Sequence, residues 1–211
     1  MAKKKSNIFT NTLVLLIVTF ICVALLAVVN QVTRGPIEQA EINARAQTYR
    51  AVYPDAQNFS EVEGTEEMLE NAPVLLSAAG YDGCYINDTL CVTDANGNVD
   101  GYVVAATSPN GYGGEIQIAI GISSDGVITG FQPISHSETP GFGAKCEEDA
   151  FKEQFKGMSA SAIEYSKTGA AKDNEIDAIS GATRSTNAIT EAVNSAIIFY
   201  QENFVQNTDT K

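Results

Sequence analysis

Hydrophobic positions recur along this 211-residue chain in three patterns, and each predicts a different kind of element. The first pattern is a block. Ile8 to Val29 contains no charge, and from Leu13 to Val29 the run is apolar apart from Thr19, with Cys22 counted as apolar. At about 1.5 Å per residue the block makes a helix of roughly 33 Å, enough for a hydrocarbon core of about 30 Å. Residues 8–29 are therefore predicted as a transmembrane helix. A cleaved signal peptide shares the basic start, but its apolar region is shorter, and no small-x-small triplet follows this one. The second pattern has a spacing of three and four. It places Ile37, Ala40, Ala44, Thr48 and Val52 on one face of a helix over residues 36–53, opened by Pro36 and ended before Pro54. An acidic helix is predicted over residues 60–71, with Val62, Met68 and Leu69 its apolar members, and a short one over residues 145–155, where Phe151 and Phe155 stand four apart. The clearest helix carries Ile189, Val193, Ala196, Ile197 and Tyr200 and starts somewhere in residues 180–185.

The third pattern is the strand signal that dominates residues 85–134. Asn96-Gly97 between residues 90–93 and 99–106 predicts a hairpin, and Asp125-Gly126 between 116–122 and 127–134 predicts another. The simplest arrangement is an antiparallel meander. Helices at both ends of a run of strands give an α+β class, a mainly antiparallel sheet flanked by helices, without the alternation of a parallel doubly wound sheet. The chain then divides into a tail of residues 1–7, the span 8–29, a juxtamembrane helix and linker 30–57, one domain 58–205 and a tail 206–211.

Charge sharpens this picture. The chain has 13 Lys and Arg against 26 Asp and Glu, and Lys3, Lys4 and Lys5 precede the span while the first carboxylate is Glu38. Basic flanks stay in the cytoplasm, so the span is oriented with its N-terminus inside and the acidic domain outside the cytoplasmic membrane. An acidic body excludes nucleic acid as a partner, since phosphate backbones need a basic face. No G-x-G-x-x-G or Walker sequence is present, which leaves no Rossmann or P-loop nucleotide site. The cysteines Cys22, Cys84, Cys91 and Cys146 lack the spacing of an iron-sulfur or zinc set, and no metal is expected. Cys84 and Cys91 are candidates for a disulfide outside the cell, or for reduced thiols in an anaerobic habitat.

Chemistry concentrates in loops. Asp177-Ala178-Ile179-Ser180-Gly181-Ala182-Thr183 runs from a strand end into the last helix. Small residues there admit a ligand close to the backbone, and the free N–H groups of a helix start favour phosphate. The Thr183 hydroxyl is placed to contact a phosphate or to be esterified by one. The same residues also suit an ordinary helix start in which Ser180 or Thr183 is an N-cap. Upstream stand Gly111-Tyr112-Gly113-Gly114-Glu115-Ile116 and His136-Ser137-Glu138-Thr139-Pro140-Gly141-Phe142-Gly143, followed by Phe151-Lys152-Glu153-Gln154-Phe155-Lys156-Gly157. Thr139-Pro140-Gly141 predicts a tight turn, with proline at the first central position and glycine supplying a positive φ. Its amides either face a ligand or belong to a plain surface turn. His136, the only histidine, is expected to serve as a hydrogen-bonding residue near a strand end, and Glu138 as either a ligand contact or a solvated carboxylate.

Asp-x-x-Ser/Thr-Gly-Ala-Thr is similar to the motif at which a flavin transferase attaches FMN through a phosphoester. Together with the two upstream loops, the single N-terminal span and the overall length, it resembles the RnfG family of the Rnf electron-transport complex, whose relatives include the FMN-carrying subunit of the sodium-pumping NADH:quinone reductase. The likeness covers nearly the whole chain. It departs at Phe142, where leucine is expected, and at Glu115, where proline is common. The resemblance implies FMN joined covalently to Thr183, with Asp177, Ser180, Gly181 and Ala182 completing the flavinylation motif. Tyr112, Gly113, Glu138, Thr139, Gly141, Phe142 and Gly143 are implied as FMN contacts. Thr183 would receive FMN from FAD by phosphoryl transfer, and Asp177 would help bind the transferase's metal or orient the acceptor loop.

The role so implied is that of a membrane-anchored electron-transfer subunit of an ion-translocating ferredoxin:NAD+ oxidoreductase, not catalytic for the full reaction alone. Its partners would be the other membrane and peripheral subunits and the maturing flavin transferase. The FMN-carrying subunit of the quinone reductase, for which a longer chain is expected, and a non-redox extracytoplasmic binding or assembly module are the alternatives.

Overall fold

The computed structural model describes residues 11–26 and 48–205. The chain divides into two compact units, Met1–Arg45 and Ala46–Lys211. In the first, residues 11–26 are helical and their apolar side chains are exposed, Leu15 and Phe20 among them. Thr19, the one interruption of the apolar run, satisfies its hydroxyl within the helix by donating to the carbonyls of Leu15 and Leu16, each at 3.0 Å. Among the described residues no helix is long and apolar enough to cross a membrane. The predicted span over 8–29 extends beyond the described residues at both ends. Lys3 to Lys5, the tail 206–211 and most of the helix predicted over 36–53 also lie outside them. Of that helix, residues 48–52 are described and are helical.

The second unit is built on a five-stranded antiparallel sheet whose strands lie in chain order: β1 (Asn58–Glu61), β2 (Tyr85–Thr93), β3 (Val99–Ser108), β4 (Ile116–Ser123) and β5 (Ile128–His136). This is the predicted meander. Its two hairpins form at the predicted dipeptides, with Gly97 at φ 84° and Gly126 at φ 74° supplying the left-handed turn residues. The Asp94 carboxylate accepts from the Asn96 and Asn98 amides at 2.8 and 2.9 Å and pins the first turn. Ile116, Ile118, Ile120 and Ile122 alternate along β4 onto one face, where they form the main core with Ile189, Val193, Ala196 and Ile197 of α3 (Thr183–Tyr200). Ala119 faces the other way, into a smaller cluster with Tyr49, Val52, Tyr53 and Val103.

Two elements differ from expectation. The acidic helix does not start at Ser60. That residue lies in β1, paired with Cys91 of β2, and Gly64 at φ 79° separates the strand from α1 (Thr65–Ala78). Helix α1 also runs through Pro73 past the predicted end. The helix predicted over 145–155 is broken into a 3-10 turn (Gly143–Glu147), α2 (Asp149–Lys152) and a second 3-10 turn (Glu153–Phe155), because Glu148 is extended at ψ 138°. Its two phenylalanines nevertheless pack as the spacing requires, with Phe131 stacked 4.3 Å from Phe155 and edge-on to Phe151. A short parallel pair, β6 (Glu164–Ser166) and β7 (Glu175–Asp177), leads into the last loop.

Cys84, Cys91 and Cys146 are buried free thiols. Cys84 precedes β2 and Cys91 sits near its far end, so seven extended residues hold them roughly 20 Å apart, beyond the reach of a disulfide. The candidate pairing is thus excluded by strand geometry.

Candidate functional site

Strand register gathers the motif loops. Ile116 at the start of β4 pairs with His136 at the end of β5, so the 109–115 and 137–143 connections leave the sheet at the same end. Helix α3 packs against β3 and β4 and begins there too. Thr139 to Phe142 form a type II turn closed by the Phe142 N–H to the Thr139 carbonyl at 3.1 Å, with Gly141 at φ 80°. Ile179 to Ala182 repeat the device, closed by the Ala182 N–H to the Ile179 carbonyl at 2.9 Å with Gly181 at φ 75°. The Phe142 ring lies over Gly181, 3.3 Å from where a Cβ would stand.

Between these turns lies a cleft of about 310 Å³ lined by Tyr112, Glu138, Thr139, Phe142, Gly143 and the 181–185 segment. Tyr112 and Phe142 present exposed rings at its rim, 71% and 52% accessible. Thr183 is exposed at the first turn of α3. The N-cap position belongs to Ala182, which has no side chain to cap with, so neither Ser180 nor Thr183 plays the capping role. Thr186 ties the loop instead, its hydroxyl donating to the Ala182 carbonyl and accepting from the Ile179 N–H, both at 3.0 Å. The N–H groups of Thr183, Arg184 and Ser185 have no carbonyl partner within the helix, and the positive end of its dipole opens at the cleft.

Glu138 is the hinge pin of the arrangement. It is 6% exposed, which rules out the solvated alternative. One carboxylate oxygen accepts from the Gly113 N–H at 3.0 Å and the other from the Ser185 hydroxyl at 2.5 Å, so one side chain joins all three motif loops. A Cβ at Gly143 would collide with both Glu138 and Ser185, and one at Gly111 would stand 2.7 Å from Glu138. His136 fills the expected hydrogen-bonding role. Its Nδ1 accepts from the Glu138 N–H at 3.2 Å, which leaves Nε2 to donate to Glu147 at 3.0 Å. Behind this network burial pushes the Cys146 thiol up to about 12, assisted by the charges of Glu147 and Glu138.

The other predicted residues occupy distinct places. Gly113 is a donor to Glu138, Gly141 and Ser180 form the two turns, and neither Gly113 nor Asp177 is among the residues lining the cleft. Its carboxylate accepts from the Ala170 N–H at 2.5 Å and its own N–H donates to Gln154 at 2.6 Å, so Asp177 is tied to the 167–174 connection and to Gln154. Sequence reasoning missed Arg184 and Ser185, which follow Thr183 directly, and the Glu191 carboxylate, which holds Ser108 and Asn110 at 2.8 Å each. For Arg184 and Ser185 the signal was adjacency to Thr183 on the first turn of α3; Glu191, on the third turn, had none. Among the described residues no group of acidic, histidine or cysteine side chains is placed to hold a metal.

The volume of the cleft falls within the range of about 300–1,000 Å³ usual for small-ligand sites. Small residues on its floor, two exposed rings at its rim and a hydroxyl at an uncapped helix start fit a flavin nucleotide held by its phosphate.

Comparison with known proteins agrees with this fit. The sequence profile of the FMN-binding domain matches residues 111–198, which include the motif loops, and the profile of the RnfG N-terminal region matches residues 1–52. The G subunit of the Na(+)-translocating ferredoxin:NAD(+) oxidoreductase complex of Acetobacterium woodii is 34% identical, covering 92% of each chain. The G subunit of the ion-translocating oxidoreductase complex of Methanosarcina acetivorans is 34% identical over 87% of this chain and 89% of its own. Its counterpart in the proton-translocating ferredoxin:NAD(+) oxidoreductase complex of Clostridium ljungdahlii is 33% identical over 92% of each. The crystal structure of the C subunit of Na(+)-translocating NADH-quinone reductase from Parabacteroides distasonis shares the fold, with a TM-score of 0.53 and 21% identity over 79% of this chain and 94% of that one. With a third of its residues identical over nine-tenths of its length, the chain belongs to the RnfG family of the ion-translocating oxidoreductase complexes.

Proposed function

We propose that this chain is the covalent flavin carrier of its complex, with FMN esterified through phosphate to Thr183, held outside the cytoplasmic membrane by an N-terminal anchor over residues 8–29. The observation that carries the reading is the position of Thr183: an exposed hydroxyl on the uncapped first turn of α3, opening on the cleft beneath Tyr112 and Phe142. In attachment, the Thr183 oxygen loses its proton and bonds to the phosphorus of the FMN half of FAD as the bond to the AMP half breaks. A flavin transferase would perform that step. Bound FMN supplies the redox chemistry of its ring, and the protein supplies binding, orientation and electrostatics. Phe142 and Tyr112 offer aromatic faces, Gly143 admits the Glu138–Ser185 bond and Gly181 the Phe142 ring, and Glu138 keeps the three loops in register. Covalent attachment suits a domain outside the cell, where a dissociated cofactor is lost by diffusion. Electrons would pass through this flavin between neighbouring subunits. Relatives named for sodium and for proton translocation are about equally similar, so family membership leaves the coupling ion open.

The test is fluorescence of the denatured band on a gel after coexpression of the full chain with an active flavin transferase. The wild type is expected to fluoresce and Thr183→Ala to be dark. A dark wild type favours a non-redox binding or assembly module and sinks the flavin reading, and a fluorescent T183A sinks the site.

A further inference from the structure

We propose that Arg184 is the phosphate ligand of the acceptor loop, its guanidinium paired with the phosphodiester at Thr183; this rests on the flavin-carrier reading. Among the described residues lining the cleft, Arg184 is the one cation and Glu138 the one carboxylate. No ion pair joins it to Glu138, whose carboxylate oxygens accept from Gly113 and Ser185. In a chain with 26 acidic residues, the ion pairs among the described residues join Lys152 to Asp149 and Lys172 to Glu164, and leave Arg184 out. Yet the side chain is not loose. Its Nε donates to the Asn110 carbonyl at 3.1 Å, and Asn110 is itself held by Glu191 of the same helix at 2.8 Å. One of five guanidinium donors is thus spent on fixing the side chain along the cleft, and the terminal nitrogens are free for a second acceptor. A planar fork restrained in this way, one residue from an esterifiable hydroxyl and beside three unpartnered helix N–H groups, suits the two free oxygens of a phosphodiester. It also offsets the single negative charge that attachment brings to an acidic domain. A lysine supplies the charge without the fork.

The full chain is coexpressed with the transferase as wild type, Arg184→Gln and Arg184→Lys, and gel fluorescence first establishes the ester. Absence of fluorescence in the wild type removes the flavin reading itself and is thereby distinguished from failure of the arginine assignment. On the flavinylated proteins, phosphorus NMR is recorded folded and in guanidinium. The wild-type resonance is expected to stand apart from its unfolded position. In R184Q it moves more than halfway to the unfolded position, and in R184K it is intermediate, with circular dichroism unchanged. Raising salt shifts the wild type toward R184Q, since the pair is partly exposed. A fluorescent R184Q with the wild-type resonance overturns the proposal. If R184Q is not flavinylated, restoration by R184K supports it, whereas loss in both with the fold intact assigns Arg184 to transferase recognition and overturns it.

Discussion

Glu138 has no cationic partner among the described residues, yet it is buried, and its charge is met by the Gly113 N–H, the Ser185 hydroxyl and the start of α3. Such a carboxylate makes its partners costly to strand. Glu138→Ala leaves the Gly113 amide and the buried Ser185 hydroxyl without an acceptor, and is expected to destabilise the domain by about 1–3 kcal/mol. Glu138→Gln keeps one acceptor and the volume, so its cost is smaller, about 1 kcal/mol. Gly143→Ala strikes the same pin from the opposite side and is expected to lose about 1–3 kcal/mol by overpacking against Glu138 and Ser185. Urea unfolding of the three variants checks this order, and an unchanged midpoint for E138A refutes the assignment. At this scale the sequence was legible in part. Thr139-Pro140-Gly141 declared its turn because proline and glycine fix φ locally. The Glu138–Ser185 bond spans 47 residues and has no local signature.

The elements whose signals are local were legible for the same reason. Asn96-Gly97 and Asp125-Gly126 carry their turn geometry within two residues, and α3 carries its buried stripe in its own spacing. Strand β1 has no such marker; it exists because β2 offers an edge to pair with, and that pairing removes Ser60 from the predicted helix. The reverse face of the sheet is a second case. Gly121 and Gly130 are cross-strand partners, and the Val52 carbonyl lies over both. A Cβ at Gly130 would stand 2.7 Å from that oxygen, so close approach requires the glycine. Residues 48–53 are further held by Thr129 donating to the Val52 carbonyl at 2.6 Å and Tyr53 donating to the Asp100 carbonyl at 2.8 Å. Gly130→Ala is expected to lift this segment while leaving the α3 face of the sheet intact. Trypsin cleavage after the exposed Arg50 should then accelerate by about tenfold or more, since local opening sets the rate. Equal cleavage rates in G130A and wild type exclude this docking as the segment's main restraint.

Across the whole domain, buried and half-buried acids of high pKa lie on both faces of the sheet and against α3. Burial raises the thiols of Cys84, Cys91 and Cys146 and the phenols of Tyr53, Tyr102 and Tyr200, and for Tyr53 the neighbouring Asp100 adds to the effect. Each group holds its proton more firmly folded than unfolded. Its contribution is fully present below the unfolded value, near 9 for a thiol and 10 for a phenol, and is lost as pH rises through the folded one. For Cys146 that window runs from 9.0 to about 12. The net charge of -13 at neutral pH acts in the same direction, because every added ionisation increases self-repulsion. None of this was legible in the sequence, where cysteine spacing spoke only to metals and disulfides; it depends on which face of which strand each residue occupies. The melting temperature is therefore expected to hold near neutral pH, to fall by several degrees between about pH 9 and 11, and to be indifferent to reductant, since the buried thiols form no bridge. Tyrosinate absorbance followed with circular dichroism supplies the second readout: the buried phenols should ionise only as the fold is lost. A melting temperature flat to pH 11, or ionisation of every tyrosine with the dichroism intact, would show that the fold does not shield these groups, and a drop on adding reductant would restore a disulfide.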